Sequence, residues 1–276
     1  MANQTGSDVN ELLARIAKLE ALLAQRPHAD TSRADIWFLL DRSGSMGAIA
    51  EYVVQSFDEF VAEQRNEAGE AAMTLIQFDG EDPQDVLIDA QPLAGIGSIA
   101  GRFAPRGMTP LYDAIGMLLD RAEAHVDNSG ADPADQLVVI MTDGHENASR
   151  RWTAGAIFER IAALRAAGWT FVFLGANQDS YATGASMGVG EGNTSNFTAS
   201  PESVLAAGRG LTRAVTGWRA KPRASRIADA DDFWDGVKEA EAAAEKERRE
   251  LEARERAEEE KRQAEAAAAE RERQEL

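Results

Sequence analysis

The sequence predicts an α/β fold with a doubly wound, mainly parallel sheet, together with a short N-terminal helix and a long, charged C-terminal helix. Between about residues 34 and 220, short apolar runs alternate with stretches of helical periodicity, a pattern typical of a parallel sheet with helices on both faces. The composition agrees with a globular fold, because 44% of the 276 residues are hydrophobic, which is ample for a packed core.

The predicted strands are short apolar runs bounded by polar and turn-forming residues, at 35–40, 72–78, 86–90, 136–141 and 170–174, with a weaker sixth candidate at 193–198. Helical patterns fall between them at 49–64, 110–125, 154–167, 181–187 and 201–218. The gap at 80–84 is too short for a crossover helix, so the strand at 86–90 is expected to be antiparallel and to lie at the sheet edge.

The segments outside this region have different compositions. Within residues 1–33, apolar residues are spaced alternately four and three apart up to Pro27, which predicts a short amphipathic helix that docks on a neighbour or pairs weakly with a second copy. Residues 221–237 are predicted to be a linker, in which Phe233 and Trp234 contact the domain. Residues 238–276 consist mostly of Ala, Glu, Arg and Lys, with Glu–Arg pairs four residues apart, which favours one long solvated helix over a coiled coil.

The charge and the composition exclude several classes of function. A net charge of -18 argues against nucleic acid and against an anionic membrane surface as partners, because both require concentrated Lys and Arg. The chain has no cysteine, which excludes disulfides, thiolate metal sites and cysteine catalysis. The first ten residues lack the basic and apolar regions of a signal peptide, so a cytoplasmic protein is expected.

Three predicted loops carry the oxygen ligands that suit a hard divalent cation. The first strand ends on Asp41, which is followed at alternating positions by Ser43 and Ser45. The strand at 136–141 leads to Asp143, and Thr109 stands just before a helix. The carboxyl ends of parallel strands share one edge of the sheet, where ligands bind in open α/β folds. These side chains suit Mg²⁺ or Mn²⁺ better than zinc. A plainer reading is that they only cap helices and close turns.

The pattern resembles the metal-ion-dependent adhesion site of the von Willebrand factor type A family, in which Asp-x-Ser-x-Ser is followed by a distant Thr and a distant Asp. The five matching positions are Asp41, Ser43, Ser45, Thr109 and Asp143. The flanking sequences FLLDRSGSM, GMTPLYDAI and IMTDGHEN are close to those usual in the family. The sequence FLGANQDS looks like that of its small bacterial and phage members.

The resemblance implies how such a site works. The two serines would face the metal directly, Thr109 directly or through a water, and the two aspartates largely through water. An Asp or Glu from a partner protein would fill the remaining position. The implied cofactor is Mg²⁺, with Mn²⁺ or Ca²⁺ also open, and proteins of this type often work with an AAA+ ATPase.

Other candidate sites are weaker. The three histidines, at positions 28, 125 and 145, show no zinc-ligand spacing, and His145 and Glu146 are interpreted as surface loop residues beside Asp143. The glycine-rich stretch at 188–193 follows a predicted helix, where glycine is an ordinary stop signal rather than a phosphate loop. No convincing set of nucleophile, base and orienting residue is present.

Three hypotheses for the function follow. The first is a metal-dependent protein-binding module, an adaptor or assembly factor without enzymatic activity. The second is a structural or assembly component of a phage or another large particle, in which the terminal helices make the main contacts. The third is a metal-dependent hydrolase or phosphatase, which is disfavoured because Ser43, and not a second carboxylate, stands two residues beyond Asp41.

Overall fold

A computed structural model of the protein describes residues 33–176, 180–234 and 237. The predicted N-terminal helix and the predicted long C-terminal helix lie outside these residues. The chain divides into two units between Phe233 and Trp234, and the fold described below is that of the first unit. Among the described residues, no helix combines the length and the apolar character needed to span a bilayer.

The strands and helices follow the predicted alternation. The strands are β1 (Ala34–Asp41), β2 (Ala71–Phe78), β3 (Asp85–Pro92), β4 (Gln136–Thr142), β5 (Thr170–Ala176) and β6 (Thr194–Phe197). The helices are α1 (Ala50–Gln64), α2 (Leu111–Ser129), α3 (Ala154–Ala166), α4 (Ser180–Ser186), α5 (Pro201–Ala220) and α6 (Arg223–Ala228). A 3₁₀ helix, Gly44–Ile49, follows β1 and leads into α1.

The strands form one six-stranded sheet in the order β3-β2-β1-β4-β5-β6. All neighbouring pairs are parallel except β2 and β3, which are antiparallel, so the prediction for the strand at 86–90 is confirmed. From β1 the chain adds β2 and then β3 on one side of the sheet, and from β4 it adds β5 and then β6 on the other side. The sheet therefore has its topological switch point between these two strands, and the crevice at their carboxyl ends is where this architecture binds ligands.

Helices cover both faces of the sheet, as the near-continuous apolar strands require. On one face, Trp37 and Leu39 of β1 belong to a buried cluster with side chains of α2 and α3. On the other face, the ring of Phe38 packs edge-on against Phe57 and Phe60 of α1. Each of these five side chains is at most 4% exposed. Both faces of β1 are therefore buried, which fixes the strand at the centre of the domain.

The edge strand β3 is irregular. Its pairing with β2 shifts register between Met73 and Leu75 and again between Leu75 and Ile76. Ala90 has a φ of 45°, in the left-handed region, and its N–H donates to the hydroxyl of Thr74 at 3.0 Å instead of continuing the ladder. The strand is therefore bulged at its middle.

The segment that we expected to be a linker contains helix α6, which packs on the domain through an arginine. Arg226 is 2% exposed and donates to Asp135 Oδ1 at 2.9 Å, and its guanidinium lies 4.2 Å from the centre of the Trp218 ring. It also donates to the backbone oxygens of Trp218 and Arg219 at 3.1 and 2.9 Å. The linker was predicted from its composition between the domain and the charged C-terminal segment, and composition does not show that Asp135, distant in sequence, provides Arg226 with a buried partner.

We predict that Asp135→Ala lowers the free energy of unfolding by about 3–5 kcal/mol, because it leaves the guanidinium of Arg226 buried without a carboxylate. Urea unfolding measures this change. The matched control is Asp89→Ala, since Asp89 pairs with Arg121 at 3.0 Å with both side chains well exposed. Removing such a surface pair is expected to cost only about 0–1 kcal/mol. Equal losses in the two variants would show that the buried pair does not anchor α6.

Candidate metal centre

The two predicted aspartates lie at the carboxyl ends of the two central strands. Leu40 of β1 is paired in register with Met141 of β4, so Asp41 comes next to the end of β4, which Asp143 follows directly. The Asp41 carboxylate accepts a hydrogen bond from the Thr142 hydroxyl at 2.5 Å. The strand pairing that builds the sheet thus brings two acidic side chains to one point.

The two predicted serines connect the aspartates. The backbone N–H of Ser43 donates to Asp41 Oδ1 at 2.6 Å, which closes the turn after β1. The hydroxyls of Ser43 and Ser45 are 3.1 Å apart, and Ser45 Oγ donates to Asp143 Oδ1 at 2.6 Å. The alternating spacing predicted from the sequence therefore turns both hydroxyls toward the gap between the carboxylates.

Gly144 shows that Thr109 faces the same gap. A Cβ placed on Gly144 would lie 3.0 Å from Thr109 Oγ1, 3.4 Å from Ser45 Oγ and 3.7 Å from Asp41 Oδ2. Oxygen atoms of Thr109 and of the loop after β1 thus converge beside Gly144, and the missing side chain of residue 144 leaves an open position next to them. The five residues predicted from the sequence are all brought together.

Burial makes the two carboxylates costly to ionise. Burial raises the pKa of Asp41 from 3.8 to about 6, against the hydrogen bonds from Thr142 and Ser43, and the charge of Asp143 raises it further. Burial also raises the pKa of Asp143, against the hydrogen bond from Ser45. Asp143 Oδ2 is buried and has no hydrogen-bond partner among the described residues. A cation would relieve both the repulsion and this unpaired acceptor.

The residues fit a hard divalent cation. Two carboxylates and three hydroxyls supply only oxygen, which suits Mg²⁺, Mn²⁺ or Ca²⁺. In the part of the chain that the structure describes, no group of three or more His, Cys, Asp and Glu side chains is arranged to hold a metal. A cation at this position would therefore need the hydroxyl groups as ligands in addition to the two carboxylates.

A buried ion-pair network, which the sequence analysis missed, fixes the loop after β1. Asp79, which is fully buried, accepts from Arg42 Nε at 2.8 Å and from Arg106 Nε at 3.0 Å. It also accepts from the backbone N–H groups of Glu81 and Asp82. Burial by itself raises the pKa of Asp79, but the hydrogen bonds from these four partners outweigh it and lower the pKa. Asp79 thus joins the three loops that contain residues 42, 81 and 106.

A second set of contacts fixes Thr109. The backbone N–H of Thr109 donates to Asn147 Oδ1 at 2.8 Å, and the backbone N–H of Asn147 donates to the Thr109 oxygen at 3.1 Å. Glu146 accepts from the N–H of Tyr112 in the first turn of α2. Glu146 is therefore a helix cap, in addition to lying beside Asp143 as expected. Because this cap comes from a loop distant in sequence, the residues just before α2 do not predict it.

The reverse contact runs from α2 to the loop after β4. The carboxylate of Asp113 accepts hydrogen bonds from three consecutive backbone N–H groups of that loop, those of Arg150, Arg151 and Trp152. The loop and the helix thus cap each other. The positions of Thr109 and Asp143 are coupled as a result, since one precedes α2 and the other begins the loop.

We predict that, in chelator, wild-type protein loses stability relative to Asp41→Asn as the pH rises. The pKa of Asp41 is raised to about 6, so the folded state binds this proton more tightly than the unfolded chain does. The resulting stabilisation is complete below the ordinary pKa of 3.8 and is lost as the pH rises through about 6. Urea unfolding between about pH 4 and pH 7.5 should show a difference on the order of 1–3 kcal/mol. A constant difference across this range would contradict the prediction.

Comparison with known proteins places the domain in a family. The model of the von Willebrand factor type A domain matches residues 35–206, which is more than half of the 276 residues. The matched range contains β1, α2 and β4 with all five predicted site residues. A search of curated proteins gives no significant match.

Solved structures with the same type of domain are distant. Proximal thread matrix protein 1 from the mussel byssus is 17% identical, with a TM-score of 0.47 over 68% of this chain and 47% of that chain. Manganese-loaded TRAP protein of Plasmodium vivax is 19% identical, with a TM-score of 0.42 over 64% of this chain and 72% of that chain. A von Willebrand factor type A structure from Catenulispora acidiphila is 17% identical, with a TM-score of 0.43 over 67% of this chain and 43% of that chain.

The chain thus spans about half the length of the mussel protein and of the Catenulispora protein. The assignment rests on the family model, whose matched residues coincide with the sheet and the loops described above. The chain belongs to the von Willebrand factor type A domain family.

Proposed function

We propose that this domain is a protein-binding module that depends on a divalent cation, held by Asp41, Ser43, Ser45, Thr109 and Asp143. A carboxylate of a partner protein completes the coordination, and Mg²⁺ is the proposed cation. Domains of this family commonly bind protein partners. The observation that carries the proposal is that oxygen atoms of Asp41, Ser45 and Thr109 converge beside Gly144, while Ser45 also donates to Asp143.

Each side chain has a defined part in this proposal. Once bound, the cation supplies a positive charge that attracts a carboxylate. Asp41 is held in place by Thr142 and by the N–H of Ser43, while Asp143 is held by Ser45. The hydroxyls contribute lone pairs without adding negative charge, and the two aspartates, as the family resemblance implies, would contact the cation largely through water. A cation held in this way would keep enough positive charge to attract the partner's acidic group.

We propose a binding role and not catalysis, because the residues around the open position are hydroxyls and carboxylates that hydrogen-bond to one another. Ser43 occupies the place where a phosphoryl-transfer enzyme would carry a second carboxylate as acid and base. The hydroxyl of Ser45 donates to Asp143 and is not activated by a histidine. The partner, whether an AAA+ ATPase, a second copy of the chain or another protein, is the object of the capture experiment below.

We predict that Mg²⁺ stabilises the wild-type protein by about 2.7 kcal/mol at roughly a hundredfold excess over Kd. Asp41→Ala is expected to abolish this gain, since it removes a carboxylate. Gly144→Ala should also weaken it, because the new Cβ would lie 3.0 Å from Thr109 Oγ1 and 3.4 Å from Ser45 Oγ and would crowd these two proposed ligands. Gly155→Ala is the matched control, as a Cβ there meets nothing within 4 Å. Urea unfolding with and without Mg²⁺ measures the effect, and undiminished stabilisation of Gly144→Ala would overturn the proposed position of the cation.

We predict that partner capture from a lysate of the native host requires both Mg²⁺ and Asp41. Tagged wild-type protein in Mg²⁺ should recover partners that are missing in chelator and missing with Asp41→Ala in Mg²⁺. Thr109→Ala should weaken recovery while the fold stays intact, because Thr109 lies in a loop outside the apolar core. Recovery of the same partners in all three conditions would refute the metal bridge. It would favour the alternative, in which the terminal helices make the main contacts of an assembly protein.

A further inference from the structure

One large apolar side chain is exposed in the loop that carries Thr109, a proposed ligand of the cation. Among the described residues, four large apolar side chains are strongly exposed: Met108 at 54%, Ile227 at 53%, Phe158 at 45% and Tyr181 at 40%. Met108 immediately precedes Thr109, which faces the open position by Gly144. Isolated exposed apolar residues are common on protein surfaces, so exposure alone assigns no role. The backbone around Met108 also makes close contacts with two neighbouring loops.

Two neighbouring loops hold the backbone at Met108 in place. The N–H of Gly44, which lies between the two predicted serine ligands, donates to the Gly107 oxygen at 3.1 Å. On the other side, a Cβ on Gly80 would lie only 3.0 Å from Met108 N and 3.1 Å from Met108 Cβ. Gly107 itself has a φ of +68°, which favours glycine. The backbone that carries Met108 is therefore held from both sides of its loop.

The charge of the chain makes an apolar contact useful at this place. With a net charge of -18, the protein as a whole does not attract an acidic partner. Salt screens charges beyond about 8 Å at physiological ionic strength, so the attraction for a carboxylate is confined to the cation itself. Further affinity and selectivity must then come from uncharged contacts close to the cation. Methionine suits such a contact, because its side chain is unbranched and adaptable and is enriched at interfaces.

We propose that Met108 is a partner-contact residue, and that the partner carries an apolar side chain within a few residues of the carboxylate that meets the cation. This inference rests on the proposed function and names the class of partner that the site selects. The recognised feature is an acidic residue with an apolar neighbour, presented on an accessible segment. An isolated carboxylate would bind through the cation but would leave Met108 in water.

A peptide library with one fixed glutamate and three randomised positions on either side tests the proposal. Selection on the full chain in Mg²⁺ should enrich Leu, Ile, Phe, Met or Val at one or more positions flanking the glutamate. Met108→Ser should lose this enrichment and bind the peptides selected on wild type about five- to tenfold more weakly, since burying half of a methionine side chain supplies an effect of this size. The substitution lies on the surface and should leave the free energy of unfolding and its increase with Mg²⁺ unchanged.

Ile227→Ser is the matched control. Ile227 is as exposed as Met108, but it lies against Gly168, just before β5 and therefore at the opposite edge of the sheet. Peptide affinity should stay unchanged in this variant. Equal affinity of wild type and Met108→Ser, or the absence of flanking apolar residues among peptides selected on wild type, would overturn the role of Met108 while leaving the cation site intact. Peptides that bind equally well in chelator would instead refute the proposed function and this inference together.

Discussion

The structure around the candidate site depends on one electrostatic constraint, which is that Asp41 and Asp143 must lie close together and out of water. Parallel pairing of β1 and β4 imposes this proximity, and burial then raises the pKa of both carboxyl groups. Without a counter-charge, the pair disfavours its own ionised form. The hydroxyls of Ser45 and Thr142 offset part of this penalty by donating to the two carboxylates.

The loops that carry these groups are held mainly by polar contacts. Asp79 and Asp113 each accept hydrogen bonds from consecutive backbone N–H groups, so one side chain fixes several residues of loop at once. Asn147 exchanges two hydrogen bonds with the backbone of Thr109. A loop that is organised in this way keeps its shape without burying much apolar surface. Its outward side chains, including Met108, are therefore not needed to hold the loop in shape.

Much of this arrangement could be predicted from the sequence, because hydrophobic periodicity and the length of the gaps between segments are local properties of the chain. The alternation of apolar runs and helical patterns predicted the sheet, and the short gap before β3 predicted its antiparallel edge. The convergence of Asp41 and Asp143 followed from the rule that parallel strands share a carboxyl edge, whereas Thr109, which follows no parallel strand, was joined to them by the family resemblance. The functions of Asp79, Asp113 and Arg226 could not be predicted, because each depends on a partner distant in sequence. Arg226 in particular carries a charge that usually indicates solvent, and only its pairing with Asp135 explains its burial.

The irregular strand β3 has a consequence for the behaviour of the protein at high concentration. An open sheet exposes unpaired backbone groups along its outer strands, and a regular outer strand is a template on which other chains can add. Here one outer strand is bent by a left-handed Ala90 and ends in Pro92, and the other, β6, contains only four residues. Neither edge offers a long, straight row of donors and acceptors. The sheet is therefore poorly suited to nucleating aggregation or fibril growth, even when many copies are crowded together.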